Sequence, residues 1–378
     1  MGYLAEWESR PFLHEKRASM KKLAIDCRMA GMSGIGVYLR NLVPRCMELL
    51  ADVAAFRLLG HAGMFSIPQG ISWEAVPFGS PIYSIEEQYR MPPLLRGCDA
   101  LWLPHYPVPV LTNIPLVVTI HDVAHLALKD LFTGIQEVYA RLMFQVVRRK
   151  AAELLFVSEF SRQEFLRLVG APRGHMTVIH NGVDQDWFKL SLGHEPAHPR
   201  YFLAVGNIKP HKNIRLLCHS FAQVAEKCDV DLLLVGGYEG FRSAEASTET
   251  LAAICPDRIH FVGPVTQEEL IRLMYGATTL VFPSRYEGFG LPPLEALAAG
   301  IPVVASDIAP VREVCGEHAR YFLPDSGEQI AQCLLESLAV TAEARQQQGE
   351  VGRAHARYFS WDRAAESTAQ VLRRGLNL

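Results

Sequence analysis

The residues best suited to chemistry cluster in one stretch of the 378-residue chain, Thr279 to Asp307. Glu287 and Glu295 lie eight positions apart, with Gly288, Phe289, Gly290, Leu291 and two prolines between them. The apolar run Leu280-Val281-Phe282-Pro283 reads as a buried strand, and the glycines after it as a loop. Pro292 and Pro293 suit the first turn of a helix, where a missing N–H costs nothing, and Gly300 stops that helix. Free backbone N–H groups at such a helix start offer an anion a seat. One carboxylate at the loop mouth and one in the helix then face a ligand that spans both.

Four other stretches carry candidate groups. Lys209, His211 and Lys212 follow the apolar run Tyr201 to Val205, in Gly206-Asn207-Ile208-Lys209-Pro210-His211-Lys212-Asn213. Two cations and a histidine between a strand end and a helix start suit a diphosphate, and equally a solvated loop. His121, followed by Asp122, ends the buried run Leu116 to Ile120. It is either a ligand-contacting group or a loop histidine beside an acid. Gly31, Gly34 and Gly36 separate the first strand from the first helix, where glycines serve a close ligand approach or simply a tight turn. Asp184-Gln185-Asp186 has the acid spacing of a metal site. It follows an Asn-Gly turn with no third oxygen ligand near in sequence, so no metal is expected there.

The elements that must position these groups alternate. Strands are expected from Leu23 to Cys27, Phe56 to Gly60, Ala100 to Leu103, Leu116 to Ile120, Leu154 to Val157 and Met176 to Ile179. Helical spacing runs from Val37 to Leu50 and from Phe132 to Ala152. After a polar, proline-containing linker, Asp186 to Arg200, the pattern restarts: strands from Tyr201 to Val205, Asp231 to Val235, Ile259 to Val262, Thr279 to Phe282 and Ile301 to Ala305, and a helix from Ile214 to about Lys227. Short apolar strands between helices imply parallel sheets covered on both faces, with ligands at the strands' carboxyl ends. The chain length fits two such α/β domains, and helices close it, an amphipathic one running from Trp361 to Arg374.

Composition narrows the function classes. A formal charge of −3 argues against a general nucleic-acid binder. No apolar run reaches the ~18 residues of a membrane span, and the first residues lack a signal core. Eight cysteines without a C-x-x-C pair read as reduced thiols, hence a cytoplasmic protein. Met20 stands directly before the first strand, so residues 1–19 are expected to be a dispensable extension or to precede the true start. Arg141, Arg148, Arg149 and Lys150, in a helix with Leu142, Met143, Phe144, Val146 and Val147, suit either a basic face on anionic lipid at the inner side of a membrane or the solvated end of a buried helix.

Taken together, the motifs resemble a known family. E-G-F-G-L-P-P-L-E from Glu287 to Glu295 resembles the paired-glutamate signature of retaining, nucleotide-sugar-dependent glycosyltransferases of the GT-B fold, glycosyltransferase family four. S-G-I-G at Ser33 to Gly36, I-H-D at Ile120 to Asp122, V-S-E-F-S at Val157 to Ser161, N-G-V-D at Asn181 to Asp184, V-G-N-I-K-P-H-K-N at Val205 to Asn213 and F-S-W at Phe359 to Trp361 extend the likeness over most of the chain. It implies two Rossmann-like domains across a cleft. Residues 20–190 would bind the acceptor and residues 199–358 the nucleotide sugar, while residues 359–378 would form a helix crossing back to the first domain.

The resemblance also implies roles. Glu287 would contact hydroxyls of the transferred sugar and Glu295 the ribose. Lys212 would neutralise the diphosphate, with the N–H groups around Gly288, Phe289, Gly290 and Leu291 holding phosphate and sugar. His121 would lie near the sugar and carry part of the reaction through its backbone carbonyl, and Gly34 would let the first helix approach donor or acceptor. Asn207 stands where many relatives carry arginine, so Lys209 or His211 would supply that phosphate charge. The P-H-K-N form resembles bacterial mannosyltransferases of surface-polysaccharide assembly. It points to GDP-mannose as donor, with UDP-glucose or UDP-GlcNAc as alternatives, and to a glycan or lipid-linked saccharide as acceptor. Lysine and helix N–H groups stabilise a departing diphosphate without a metal, so no cofactor or metal requirement is expected. No second carboxylate stands as a nucleophile, which favours front-face attack with the diphosphate taking the acceptor proton. A non-catalytic nucleotide-sugar sensor is the competing class; a GT-B epimerase or phosphorylase would need acids and bases or a cofactor lysine not identifiable here.

Overall fold

The computed structural model describes residues 20–128, 131, 134–189, 200–237 and 248–378. The 1–19 extension and most of the expected linker lie outside them. The chain forms two parallel sheets. The first holds β1 (Lys21–Asp26), β2 (Ala54–Leu59), β3 (Trp73–Val76), β4 (Ala100–Leu103), β5 (Leu116–Ile120), β6 (Ala151–Phe156) and β7 (His175–Val178), in the order β3-β2-β1-β4-β5-β6-β7. The second holds β8 (Tyr201–Val205), β9 (Asp231–Val235), β10 (Ile259–Gly263), β11 (Thr279–Phe282), β12 (Val303–Ser306) and β13 (Ala319–Phe322), ordered β10-β9-β8-β11-β12-β13. In both, the strand order reverses beside the first strand, at β1/β4 and at β8/β11, so two crevices open at the carboxyl ends.

Local chemistry explains the elements. β4, β5 and β11 are buried at every residue, as strands covered on both faces must be. Helices begin where a side chain takes an otherwise unpaired N–H: Ser84 from Glu87, Ser158 from Ser161, and Thr266 from Glu269 in a capping box. Several element ends differ from expectation by one to three residues. β6 starts at Ala151, directly after the Gly134–Lys150 helix, because Ala151 already pairs with Leu116. Residues 301–302 lie outside β12. The edge strands β3 and β13 have no continuous apolar run to announce them, and β3 is largely exposed.

At the end of β1 a charged group is buried. Asp26 accepts from Arg28 and from His105 Nε2 at 2.9 Å, while Arg28 also reaches Glu87 at 2.9 Å. Burial alone would raise the Asp26 carboxyl; the His105 and Arg28 bonds instead hold it well below the usual range. This cluster ties the loops after β1 and β4 to the Ile85–Leu94 helix.

The halves are stitched by the last helix, Trp361–Gly375, which packs on the Ile35–Leu49 helix of the first sheet. Arg45 pairs with Asp362 at 2.8 Å, and Arg374 grips the buried Glu153 with two bonds, 2.9 and 3.2 Å. The Asn-Gly turn before Asp184 serves this crossing: Val183 N–H donates to the Phe359 carbonyl, and a Cβ on Gly182 would fall 2.1 Å from Trp361 N. Only glycine fits there.

Candidate active site

The loops after β5 and β6 meet those after β8 and β11. On the second-sheet side, a 3₁₀ turn, Pro210–Lys212, ends at Asn213 in a left-handed conformation (φ +56°), fixed by its Nδ2 donating to the Pro324 carbonyl at 2.8 Å. The Lys212 side chain runs past Gly206, and its ammonium lies 2.6 Å from Glu287 Oε1 and 5.5 Å over the Phe282 ring. Arg285 N–H donates to the His211 carbonyl, so the two loops that bear Lys212 and Glu287 are joined along the backbone. Two groups expected to face one diphosphate sugar are therefore already in contact.

Gly290 (φ +115°) turns the chain into the Leu291–Ala299 helix, with Pro292 and Pro293 in its first turn, and Gly300 (φ +76°) ends it. Gly288 touches the opposite half: a Cβ there would lie 2.0 Å from the His121 carbonyl oxygen. The Gly288 carbonyl accepts from Ser158 Oγ and Ser161 Oγ, at 2.5 and 3.1 Å. Ser161 Oγ lies closer to the His121 carbonyl oxygen, at 2.7 Å, so its one proton is shared between the two carbonyls, and the His121 oxygen keeps a second lone pair. The His121 ring stands edge-on to Tyr38 at 4.8 Å and bonds the Pro104 carbonyl; Nε2 is buried with no partner among the described residues. Burial pulls its pKa down to about 4, so the imidazole is neutral at neutral pH.

Other expected residues are spread more widely. Glu295 is buried, and its pKa is pushed up to about 8, first by burial and then by the nearby Asp184 carboxylate. Asp184 in turn accepts from Asn41 Nδ2 at 3.3 Å, while Asp186 pairs with Lys189. The Asp184-Gln185-Asp186 carboxylates thus have separate partners. Phe289 is buried with its ring among His180 and Phe359, each 6.0 Å away, so its side chain is a packing wedge and its backbone is what a ligand can meet. Leu291 is half-buried at the helix start.

Asn207 accepts from Gly237 N–H at 3.1 Å and reaches Ser33 Oγ across the cleft at 3.4 Å. His211 has a lowered pKa, from burial first and Lys212 next. Lys209, the other expected source of the charge absent at Asn207, is exposed. Gly34 (φ +65°) precedes the first helix with open space around it. Gly36 is the crowded one, since its Cβ would meet the Ala30 carbonyl at 2.8 Å.

Sequence reasoning gave no role to Glu313. From the short Ala309–Cys315 helix it accepts the N–H of Glu159 at 2.7 Å and of Phe160 at 3.2 Å, and pairs with His180 Nε2 at 2.6 Å. It caps a first-sheet helix from the second-sheet side. Ser158 and Ser161 belong to V-S-E-F-S, so a signal existed for them; Glu313 sits in a segment with no motif. Among the described residues no group of three His, Cys, Asp or Glu side chains converges as metal ligands.

Comparison with known proteins agrees with this layout. Residues 32–187 match the family model described as Glycosyltransferase Family 4, and residues 193–355 that described as Glycosyl transferases group 1. The chain is 32% identical over 323 residues to the O-antigen chain mannosyltransferase RfbU of Salmonella typhimurium, covering 80% of this chain and 87% of that one. It is 29% identical over 266 residues to the O-antigen chain mannosyltransferase B of Escherichia coli, covering 67% and 68%. Among solved structures, the fold is similar to that of sucrose-phosphate synthase from Thermosynechococcus elongatus, with a TM-score of 0.71 at 20% identity over 94% of this chain and 98% of that one.

Proposed function

Because this chain belongs to glycosyltransferase family four, the retaining, nucleotide-sugar-dependent glycosyltransferases of GT-B fold, we propose that it transfers mannose from GDP-mannose to a glycan or lipid-linked saccharide in surface-polysaccharide assembly. The observation that carries the reading is the Lys212–Glu287 pair, 2.6 Å apart between the loops after β8 and β11, with Gly288 seated on the His121 backbone. Relatives named as O-antigen mannosyltransferases support mannose as the sugar. In this reading residues 20–190 receive the acceptor and residues 199–358 the donor.

Breaking the anomeric bond leaves negative charge on the diphosphate and positive character on the sugar. Lys212, Lys209 and the N–H groups at the start of the Leu291–Ala299 helix stabilise the former; Glu287 orients the sugar and tempers the latter. Glu295, buried and neutral below about pH 8, meets the ribose diol as both donor and acceptor. His121, neutral at working pH, presents its unpartnered Nε2 to a sugar hydroxyl. With no carboxylate nucleophile assigned, attack is front-face and the departing diphosphate takes the acceptor's proton. Leaving-group stabilisation by Lys212 and helix N–H groups makes a divalent ion dispensable. Eight free thiols suit a reducing, cytoplasmic setting, with peripheral contact to the inner membrane face for a lipid-linked acceptor.

A panel of GDP-mannose, UDP-glucose and UDP-GlcNAc, scored by product mass and by slow donor hydrolysis, tests this. Turnover of GDP-mannose is expected, and resistance to EDTA with it. Turnover of a UDP-sugar alone would replace the donor; binding without hydrolysis or transfer would make the chain a sensor.

A further inference from the structure

The Gly134–Lys150 helix is apolar on two opposite sides. Its inner side, Ala140, Met143, Phe144 and Val147, packs into the first domain's core. The outer side carries Ile135, Val138 and Leu142, exposed to 85%, 68% and 58%, at the i, i+3, i+7 spacing of one helix face. The neighbouring Ile85–Leu94 helix is held to it by Tyr139 Oη donating to Glu87 at 2.9 Å and by Gln88 against Met143. That helix buries Glu87 and Met91 and turns out Ile85 and Tyr89, exposed to 78% and 63%. Single exposed apolar residues are ordinary; five large ones on the outer faces of two adjoining helices mark an interaction surface.

The longer helix is basic, while on the Ile85–Leu94 helix Glu86 pairs with Arg90 and Glu87 with Arg28. In a chain of net −3, the Gly134–Lys150 helix carries one acid, Glu137, against Arg141, Arg148, Arg149 and Lys150. The four bases are not equivalent, as their positions in sequence had suggested. Lys150 is spent on the carbonyls of Val110 and Thr112, and Arg148 lies against Gly170. Arg141 pairs with Glu137 at 2.9 Å but stays exposed, and Arg149, exposed as well, stands seven residues beyond Leu142 on the same outer face. Bases in the last turn complement the helix dipole, but that accounts for none of the apolar residues before them.

The face also adjoins the cleft. Glu87, between the two helices, binds Arg28 at the carboxyl end of β1. Tyr83, just before the Ile85–Leu94 helix, packs its ring on Tyr106 and His125 at 5.3 and 5.4 Å, four residues past His121.

We propose that this face docks the protein on an anionic phospholipid bilayer. Ile85, Tyr89, Ile135, Val138 and Leu142 enter the interfacial region, and Arg141 and Arg149 meet headgroup phosphates. The surface follows from exposure and charge; that it presents a lipid-linked acceptor to the cleft rests on the acceptor reading above. Pairing with a second copy is disfavoured by the excess positive charge each copy would bring.

The test uses the full chain and vesicles of phosphatidylcholine with or without a quarter phosphatidylglycerol. Wild-type protein is expected to co-sediment with the anionic vesicles, weakly with neutral ones, and less as salt rises. The triple variant Ile135→Gln/Val138→Gln/Leu142→Gln is expected to lose at least tenfold in partitioning, and Arg141→Gln/Arg149→Gln to lose the preference for anionic lipid, both with an unchanged rate of GDP-mannose hydrolysis. Equal vesicle binding by wild type and the triple variant overturns the proposal. So does absence of wild-type binding, or a concentration-dependent doubling of mass that the triple variant abolishes, which would make the face a dimer interface. Vesicle binding without turnover of any nucleotide sugar would instead sink the proposed activity and leave the docking surface standing.

Discussion

The Lys212 ammonium and the Glu287 carboxylate lie 2.6 Å apart, both half-buried, so the protein without donor neutralises by itself the charge a diphosphate would otherwise meet. Donor binding must divide this pair, giving the ammonium to phosphate and the carboxylate to the sugar. Lys212→Ala and Glu287→Ala are each expected to lower transfer by roughly 10²–10³, the usual cost of removing one charge-stabilising group. Their effects on GDP binding separate: Lys212→Ala weakens it about tenfold, while Glu287→Gln leaves it equal or tighter, because the ammonium is freed. Calorimetric titration of GDP into the two variants checks this. Weaker binding in Glu287→Gln would mean that the carboxylate itself orders the phosphate site.

Glu295 and Asp184 set a pH dependence of opposite sense to that of a paired carboxylate. The folded pKa of Glu295 is raised to about 8 by burial and by Asp184, so the folded state holds a proton that the unfolded chain releases near pH 4. The stabilising contribution is full below the unfolded value and falls away as pH rises toward 8, by on the order of a few kcal/mol. Urea midpoints at pH 5, 6.5 and 8 should fall across this range in the wild-type protein and fall less in Glu295→Gln. Asp184→Asn removes the neighbouring charge and is expected to lower the Glu295 pKa without creating any defect that metal rescues. Equal pH slopes for wild type and Glu295→Gln would refute the assignment.

Gly288 and Gly34 are both glycines of signature loops, yet they should respond differently to alanine. A methyl group on Gly288 would sit 2.0 Å from the His121 oxygen, which forces the loop off the first domain. Around Gly34 there is open space, and the backbone, φ +65° with ψ −84°, opposes a side chain by about 1–3 kcal/mol. Gly288→Ala should therefore cost transfer 100-fold or more while the melting temperature moves little, and Gly34→Ala should cost a few-fold at most. Steady-state rates with melting curves for both proteins decide it; comparable rates would show that the Gly288 contact is not needed for turnover.

Much of this arrangement was legible in the residue order. Parallel strands buried on both faces announce themselves as apolar runs, so β4, β5, β8, β9 and β11 have the limits expected of them. Strands β3 and β13 were invisible because edge strands with solvated faces carry no such run. Lys212, Glu287 and the glycines stood out because their types and spacing suit a diphosphate sugar. The pairing of Lys212 with Glu287 did not, since it depends on two loops 75 residues apart. Asp184 was weighed only as a metal ligand; that it faces Glu295 emerges only when the halves are brought together. For Phe289 the resemblance spoke only of the backbone N–H; that its ring packs with His180 and Phe359 carried no signal in sequence.

Glu313 had no sequence signal because its partners are backbone N–H groups of the other half, which no side-chain pattern records. Its carboxylate takes two N–H groups at the start of the Glu159–Leu168 helix and the His180 ring, next to the serines that hold Gly288. Burial alone would raise its pKa; the bonds from His180 and the two N–H groups bring it below the ordinary value. A lowered folded value means the contribution is present above the unfolded pKa of about 4 and is lost as pH falls through the folded one. Glu313→Ala strands those donors at a cost of roughly 1.5–3 kcal/mol, charged partners being the stronger kind. The two halves should then separate more readily. The expected result is a larger radius of gyration by small-angle scattering and a kcat down about tenfold, with GDP affinity kept because Lys212 and Glu287 stay on the second half. Glu313→Gln retains one acceptor and should fall between. Unchanged scattering together with unchanged kcat in Glu313→Ala would show that Gly288 stays docked on His121 without the Glu313 bonds.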